Sequence, residues 1–321
     1  MISTPFLHVK NLTVSYKKGK TVFTAVKNVS LTLEQGKTLG LVGESGCGKT
    51  TLGRSILQFH KNDSGQVLLQ GNDLSAMNTA SLKRYRPLMQ MIFQNPYRSL
   101  NPRMTVLDIL SEPFRIKERI SQKDCIQKVS ELMLNTGLDP FMMRKFPHEF
   151  SGGQRQRIAI ARALAADPLL VIADEPVSSL DVSVQAQILN LLREIHEKMN
   201  LSMIFISHDL SVVRYISDDI AVMYQGKIVE KGPCDRLFSN PLHPYTKTLL
   251  SAIPVADPSK SFYTKIDIEN EFNPEETKRG CLYSNRCPFI MDICKEAEPA
   301  LETVDNNSNH ECACHLINSG S

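Results

Sequence analysis

One stretch constrains this chain more than any other: Gly43-Glu44-Ser45-Gly46-Cys47-Gly48-Lys49-Thr50, which fits the pattern Gly-x-x-x-x-Gly-Lys-[Ser/Thr]. Glycines at these positions let the backbone turn tightly, so that successive N–H groups point into one concavity sized for phosphate. Lys49 adds a mobile point charge for the outer phosphates, and Thr50 offers a hydroxyl to Mg²⁺. The flanks agree. Thr38 to Val42 reads as a short buried strand, and the residues from Thr51 to Phe59 as the start of a helix whose N-terminal partial charge favours anions. A chance Gly-rich turn is the ordinary alternative, and it lacks a reason for strand and helix to flank it. The expectation is a phosphate-binding loop built from Gly43 to Thr51.

The bulk numbers narrow the class. A length of 321 residues suggests about two domains, and 42% hydrophobic residues can build a sizeable core. Thirty-seven basic residues against 34 acidic ones, a net charge of +3, give no argument for nucleic-acid binding. No apolar run approaches the roughly 18–20 residues that span a bilayer. Met1 to Pro5 has neither the basic nor the apolar region of a secretory signal. The expectation is a soluble, cytoplasmic chain that reaches a membrane only through a partner. Of the eight cysteines, Cys281, Cys287, Cys294, Cys312 and Cys314 crowd the C-terminal end. In a reducing compartment such a cluster reads as a metal site before it reads as disulfides.

Along the chain, Phe6 to Tyr16 and Thr21 to Leu33 alternate apolar and polar residues, which predicts two antiparallel strands. Tyr16, at the end of the first, is placed either to stack on a purine or to pack on its own sheet. Leu88 to Phe93 predicts a strand ending at Gln94, followed by a basic, turn-rich loop to Arg103 that reads as a contact surface. Thr105 to Lys117 and Gln122 to Thr136 have helical spacing and form a helical insert, closed by Gly137. Ser151-Gly152-Gly153-Gln154 opens a further helix with a capping-box spacing and two glycines, read here as a second anion site. Leu169 to Glu175 is a buried strand ending in two carboxylates. Acids at the C-terminal end of a parallel strand face the ligand crevice, so Asp174 suits Mg²⁺ and Glu175 suits a water. Ser179-Leu180-Asp181 turns into a long amphipathic helix. Leu201 to Ser207 is the next core strand, with His208 at its end, and Ile220 to Val229 reads as a hairpin.

In this order the parts resemble the ATP-binding subunit of ABC transporters, over roughly residues 5–255. The resemblance implies an α/β fold: a P-loop NTPase core, an antiparallel β-subdomain, and a helical signature subdomain at about 95–165. It also implies the roles. Tyr16 would stack on adenine, Lys49 and Thr50 would serve the phosphates and Mg²⁺, and Gln94 would sense Mg²⁺ and the membrane partner. Ser151 to Gln154 would be the signature, Asp174 and Glu175 the Walker B pair, Asp181 the D-loop residue and His208 the switch histidine. Phe150 stands where the superfamily usually has Leu. The stretches Phe93 to Pro102, Asp174 to Ser178 and Asn240 to Thr246 are similar to the oligopeptide/dipeptide import branch, although Ser179 stands where that branch more often has Ala. Residues 256–321 would then be a small Cys-rich extension, and its cysteines Cys281, Cys287, Cys294 and Cys314 match those that hold a [4Fe–4S] cluster in some members. The intervals of five and six residues are unlike the Cys-x-x-Cys pairs of zinc ribbons. Zinc stays open as the alternative, and Cys312, His310 and His315 compete for the fourth position.

The function so implied is ATP hydrolysis that powers import of di- or oligopeptides or a related small ligand. The expected partners are two membrane permeases, a second ATPase (a paralogue in this branch) and an extracytoplasmic binding protein, with the chain peripheral on the cytoplasmic face. The alternatives are a soluble ABC-type ATPase acting on nucleic acid or ribosomes, and a regulatory subunit that does not hydrolyse. The first usually carries two cassettes or a long coiled-coil insert, neither visible here. The second fits poorly with a complete set of motif residues.

Overall fold

The computed structural model describes residues 5–19, 21–117, 120–252, 280–304 and 309–318. The N-terminal leader reading and the boundary near residue 255 lie outside them. Two sheets carry the fold. The smaller has four strands in the order β2-β1-β4-β5, built from β1 (Leu7–Lys18), β2 (Thr21–Leu33), β4 (Ser64–Leu69) and β5 (Asn72–Asp73). All of its pairings are antiparallel. Alternation decides which face is buried: Leu7, Val9, Leu12 and Val14 of β1 pack with Val26, Val29 and Leu31 of β2 in one core.

The larger sheet has eight strands, in the order β11 (Glu302–Thr303), β12 (Glu311–Cys312), β10 (Lys227–Pro233), β9 (Asp219–Tyr224), β3 (Thr38–Val42), β8 (Ser202–Ser207), β7 (Leu170–Asp174) and β6 (Met89–Ile92). Its central strands β3, β6, β7, β8 and β9 are mutually parallel. β3, β7 and β8 are buried at every residue, as strands covered on both faces must be. β10 turns back antiparallel on β9, which is the hairpin read from the sequence. Helices cover this sheet, among them Lys49–Ile56, Gly152–Leu164, Val182–Met199 and Leu210–Ile216.

A third core joins the helices Val106–Lys117, Gln122–Asn135 and Gly152–Leu164 through Val106, Ile109, Leu110, Val129, Met133, Phe150 and Ile158. This is the expected helical insert. Gly137, with φ of +69°, ends its second helix as the left-handed residue glycine best supplies.

The described C-terminal residues, within the stretch expected to be an extension, join the large sheet. Their strands β11 and β12 extend it, β12 pairing antiparallel with β10. Tyr283 joins the main core, with Cys281, Leu282 and Cys287 packed against it.

Candidate nucleotide site

Parallel pairing brings the chemistry to one edge. Val42, the last residue before the loop, lies opposite Ser207 of β8, and Asp174 lies opposite Ile206. The loop, the Asp174-Glu175 pair and His208 therefore leave adjacent strand ends, where α/β sheets hold ligands. β6 ends at the same edge, with Ile92 beside Ala173, and hands the chain to Gln94.

The loop is shaped for an anion. Gly48 caps the helix Lys49–Ile56 with φ of +110°, and a Cβ there would lie 2.3 Å from the Ala25 carbonyl oxygen. Only glycine fits. That helix start has no side-chain cap and no acidic residue in its first turn, which leaves its N–H groups for a bound anion. The buried Lys49 Nζ donates to the carbonyls of Gly43 at 2.6 Å and Glu44 at 2.9 Å. Cys47 is buried with its thiol 3.7 Å from Lys49 Nζ, and burial pushes that thiol up. Ser45 and Gly46 are exposed at the loop tip.

Thr50 Oγ1 donates to Asp174 Oδ1 at 2.8 Å, so two of the three expected Mg²⁺ residues meet; the third, Gln94, bonds Glu175 instead. Burial raises the Asp174 carboxyl above its usual range, opposed by the Thr50 bond and the charge of Arg54. Their chemistry, a hydroxyl and a carboxylate beside a phosphate loop, fits a hard dication. Glu175 stands at φ of +46°, a costly conformation for a non-glycine residue, pinned by its N–H donating to the Ile206 carbonyl at 3.0 Å. This turns its carboxylate to two partners: Gln94 Nε2 donates to Oε2 at 2.8 Å, and His208 Nδ1 lies 3.2 Å from Oε1. Tyr16 reaches the same edge, its hydroxyl donating to Thr51 Oγ1 at 3.4 Å. Its ring, half-exposed, meets the edge of His60 at 5.6 Å, a neighbour the sequence did not point to.

The remaining expected residues lie outside this network. Ser151 and Gln154 form the reciprocal capping box, with bonds of 3.0 and 3.3 Å. Gly152 and Gly153 face Leu180 and Val184. The glycine pair thus has a packing reason that the sequence reading left out. Asp181 caps the helix Val182–Met199 through the Val184 N–H at 3.0 Å and accepts from Ser183 at 2.7 Å, bonds that hold its carboxyl below the usual range.

Two contacts to the loop come from far along the chain. Tyr245 in the helix Pro244–Ser251 accepts the Glu44 N–H at 2.8 Å, and Arg286 of the extension forks onto the Glu44 carboxylate with two bonds of 2.9 Å.

The extension's cysteines are all free thiols. Cys281, Cys287, Cys294 and Cys314 line one small cavity with His315, whereas Cys312 is buried in β12 beside Glu230. Burial and the neighbouring sulfurs push the Cys281 thiol up to about 11, and burial raises Cys287 and Cys314. Four thiols facing one cavity fit a soft metal group by donor chemistry. Among the described residues no group of three or more His, Cys, Asp or Glu side chains is arranged to hold a metal ion, so the expected metal centre is not shown.

Fold and site together define a P-loop ATPase of the ABC cassette type. A family model described as ABC transporter matches residues 26–178, and one described as oligopeptide/dipeptide transporter, C-terminal region, matches residues 229–294. The oligopeptide transport ATP-binding protein AppF of Bacillus subtilis is 48% identical over 96% of this chain and 89% of its own length. The oligopeptide transport ATP-binding protein OppF of Salmonella typhimurium is 47% identical over 86% of this chain and 83% of its own. Among solved structures, the dimeric, post-hydrolysis ATP-binding cassette MJ0796 bound to ADP and Pi superimposes with a TM-score of 0.65 at 28% identity, covering 71% of this chain and 98% of that one. The chain belongs to the ABC transporter ATP-binding family, in the branch with the oligopeptide/dipeptide transporter C-terminal region.

Proposed function

We propose that this ATPase powers an importer of oligopeptides or dipeptides, working from the cytoplasmic face of the membrane against two permease subunits. The single observation carrying this is the near-complete match, at 48% identity over 96% of the chain, to a relative named for oligopeptide transport. Among the described residues no helix is long and apolar enough to cross a membrane, so the pore belongs to other chains in this reading. A second ATPase, a paralogue, and an extracytoplasmic binding protein complete the complex.

The residues divide the work as follows. Tyr16 stacks on adenine, and the Gly43–Thr51 loop with Lys49 holds the phosphates. Thr50 and Asp174 hold Mg²⁺, with Gln94 beside them; the ion, when bound, offsets phosphate charge. Glu175 orients and deprotonates the attacking water, and His208 contacts the outer phosphate. Ser151 to Gln154 serve a nucleotide held by the partner ATPase, with Asp181 at the same dimer face; the dimeric form of the MJ0796 cassette supports that arrangement. Catalysis is positioning and electrostatics. The loop after Gln94 transmits closure: Arg155, beside the signature, lies with its guanidinium 3.7 Å from the centre of the exposed Tyr97 ring.

The four extension thiols Cys281, Cys287, Cys294 and Cys314 hold a [4Fe–4S] cluster in this reading. Their convergence on one cavity supports it. Absorption spectra with iron and zinc analysis of anaerobically purified protein test it, stoichiometric zinc without iron being the contrary result.

Co-purification tests the importer. The tagged chain is expected to bring down two membrane permeases, and ATP-dependent peptide uptake should appear in vesicles holding the complex. Recovery with ribosomes and no membrane protein would overturn it.

A further inference from the structure

The phosphate loop of this chain contains one acid, Glu44, directly after the first glycine. A carboxylate there is a liability, because it adds negative charge to a loop that must bind a polyanion. Its partner comes from 242 residues further on. Arg286 Nη1 and Nη2 reach Glu44 Oε2 and Oε1 at 2.9 Å each, a bidentate fork. Arg286 is itself built in. It closes the turn Ser284–Arg286, and its guanidinium stands 5.8 Å from the centre of the Tyr283 ring.

That segment is anchored on both sides of the arginine. The Cys281 N–H donates to the Cys294 carbonyl at 2.8 Å, and Tyr283, fully buried, packs against Tyr224, Tyr245 and His243. Tyr245, from the same cluster, takes the Glu44 N–H. The second residue of the loop is thus held at its backbone by Tyr245 and at its side chain by Arg286, with Tyr283 of the extension packed between the two supports.

We propose that Arg286 is a positioning residue for nucleotide binding: its fork holds Glu44 and neutralises the only carboxylate of the phosphate loop, making ATP affinity a property of the C-terminal extension. This rests on the loop being the ATP site. The positive charge acts through Glu44, so removing Glu44's charge removes the need for it. A purely structural arginine would be needed regardless of what stands at position 44.

Calorimetric titration of the 321-residue chain with a non-hydrolysable ATP analogue at low salt separates these. Arg286→Gln is expected to weaken binding about fivefold, the scale of a well-formed, partly buried ion pair, and in parallel ATP-hydrolysis assays the loss should appear in KM more than in kcat. In a Glu44→Gln background the same change is expected to cost less than about twofold. An unchanged affinity for Arg286→Gln, or the same loss in both backgrounds, would overturn the proposal. Should Arg286→Gln not fold, Arg286→Lys is read instead: charge kept and fork lost gives about a twofold weakening at low salt, and no change counts against the fork. A parent chain that does not bind the analogue would overturn the nucleotide-site reading itself, a result distinct from any of these.

Discussion

Glu175 condenses the chemistry of the site into one side chain. Its left-handed backbone aims the carboxylate at Gln94 and His208, so the three residues form one hydrogen-bonded unit. Glu175→Gln keeps the shape and removes the base. The expected outcome is retained ATP binding with turnover at least about tenfold slower, measured as phosphate release; the factor is the low end for losing a general base. Unchanged turnover would remove Glu175 from the reaction. The residues of this unit were legible in the sequence because strand-end position alone places them. An apolar run followed by a polar residue marks Asp174, Glu175 and His208 without any knowledge of the neighbours. Arg286 and Tyr245 were not legible in that way. Their contact with Glu44 crosses 242 and 201 residues, and no local pattern encodes it. Their stretches were noticed only as likenesses to a family.

At the scale of elements, the same division holds for the signature helix. The capping box of Ser151 and Gln154 is a local device and was readable. The second reason for the glycines is tertiary: a Cβ on Gly153 would sit 2.5 Å from Val184 Cγ1 of the neighbouring helix. Gly153→Ala gains helix propensity of up to about 1 kcal/mol but overpacks this contact at a cost of about 1–3 kcal/mol. Net destabilisation is expected in urea unfolding, and relief when Val184→Ala is added. A stabilised Gly153→Ala would show the crossing to be loose. The helix Pro244–Ser251 carries a pH dependence. His243 caps it, accepting the Tyr245 N–H on Nδ1 at 3.0 Å, and burial lowers its pKa to about 4 from the ordinary 6.5. Below 6.5 the unfolded chain binds a proton that the folded chain refuses. Stability from this group is therefore intact above pH 6.5 and falls as pH drops toward 4, by about 3 kcal/mol in all. His243→Asn keeps an acceptor for the cap and cannot titrate. Denaturant unfolding at pH 7 and pH 4.5 should show a smaller acid loss in that variant than in the parent, and parallel losses would discard the assignment.

For the whole molecule, the question is what makes cassette and extension one body. The resemblance implied a boundary between them near residue 255, which lies outside the described residues. Beyond it, short strands of two residues such as β11 and β12 join the large sheet and leave no periodic trace to read. The join centres on Glu230 of β10, which is wholly buried. It accepts the N–H groups of Leu242 at 2.9 Å and His243 at 3.0 Å, and the His310 Nε2 of the extension lies 2.8 Å from its Oε1. One carboxylate thus ties the edge of the core sheet, the start of the helix that bears Tyr245, and the strand that closes the extension. Both oxygens are used as acceptors. Glu230→Gln has the same shape but turns one of those oxygens into an NH₂ facing a donor, which leaves at least one buried group unsatisfied. The expected cost is about 2–4 kcal/mol of folding stability, read by denaturant unfolding. Because the lost bond sits at the junction, protease sensitivity should rise first in the extension, with ATP affinity falling alongside as Arg286 loses its support. A Glu230→Gln chain that unfolds at the parent's midpoint with its extension still protected would mean that the two parts are held elsewhere, through the tyrosine cluster alone.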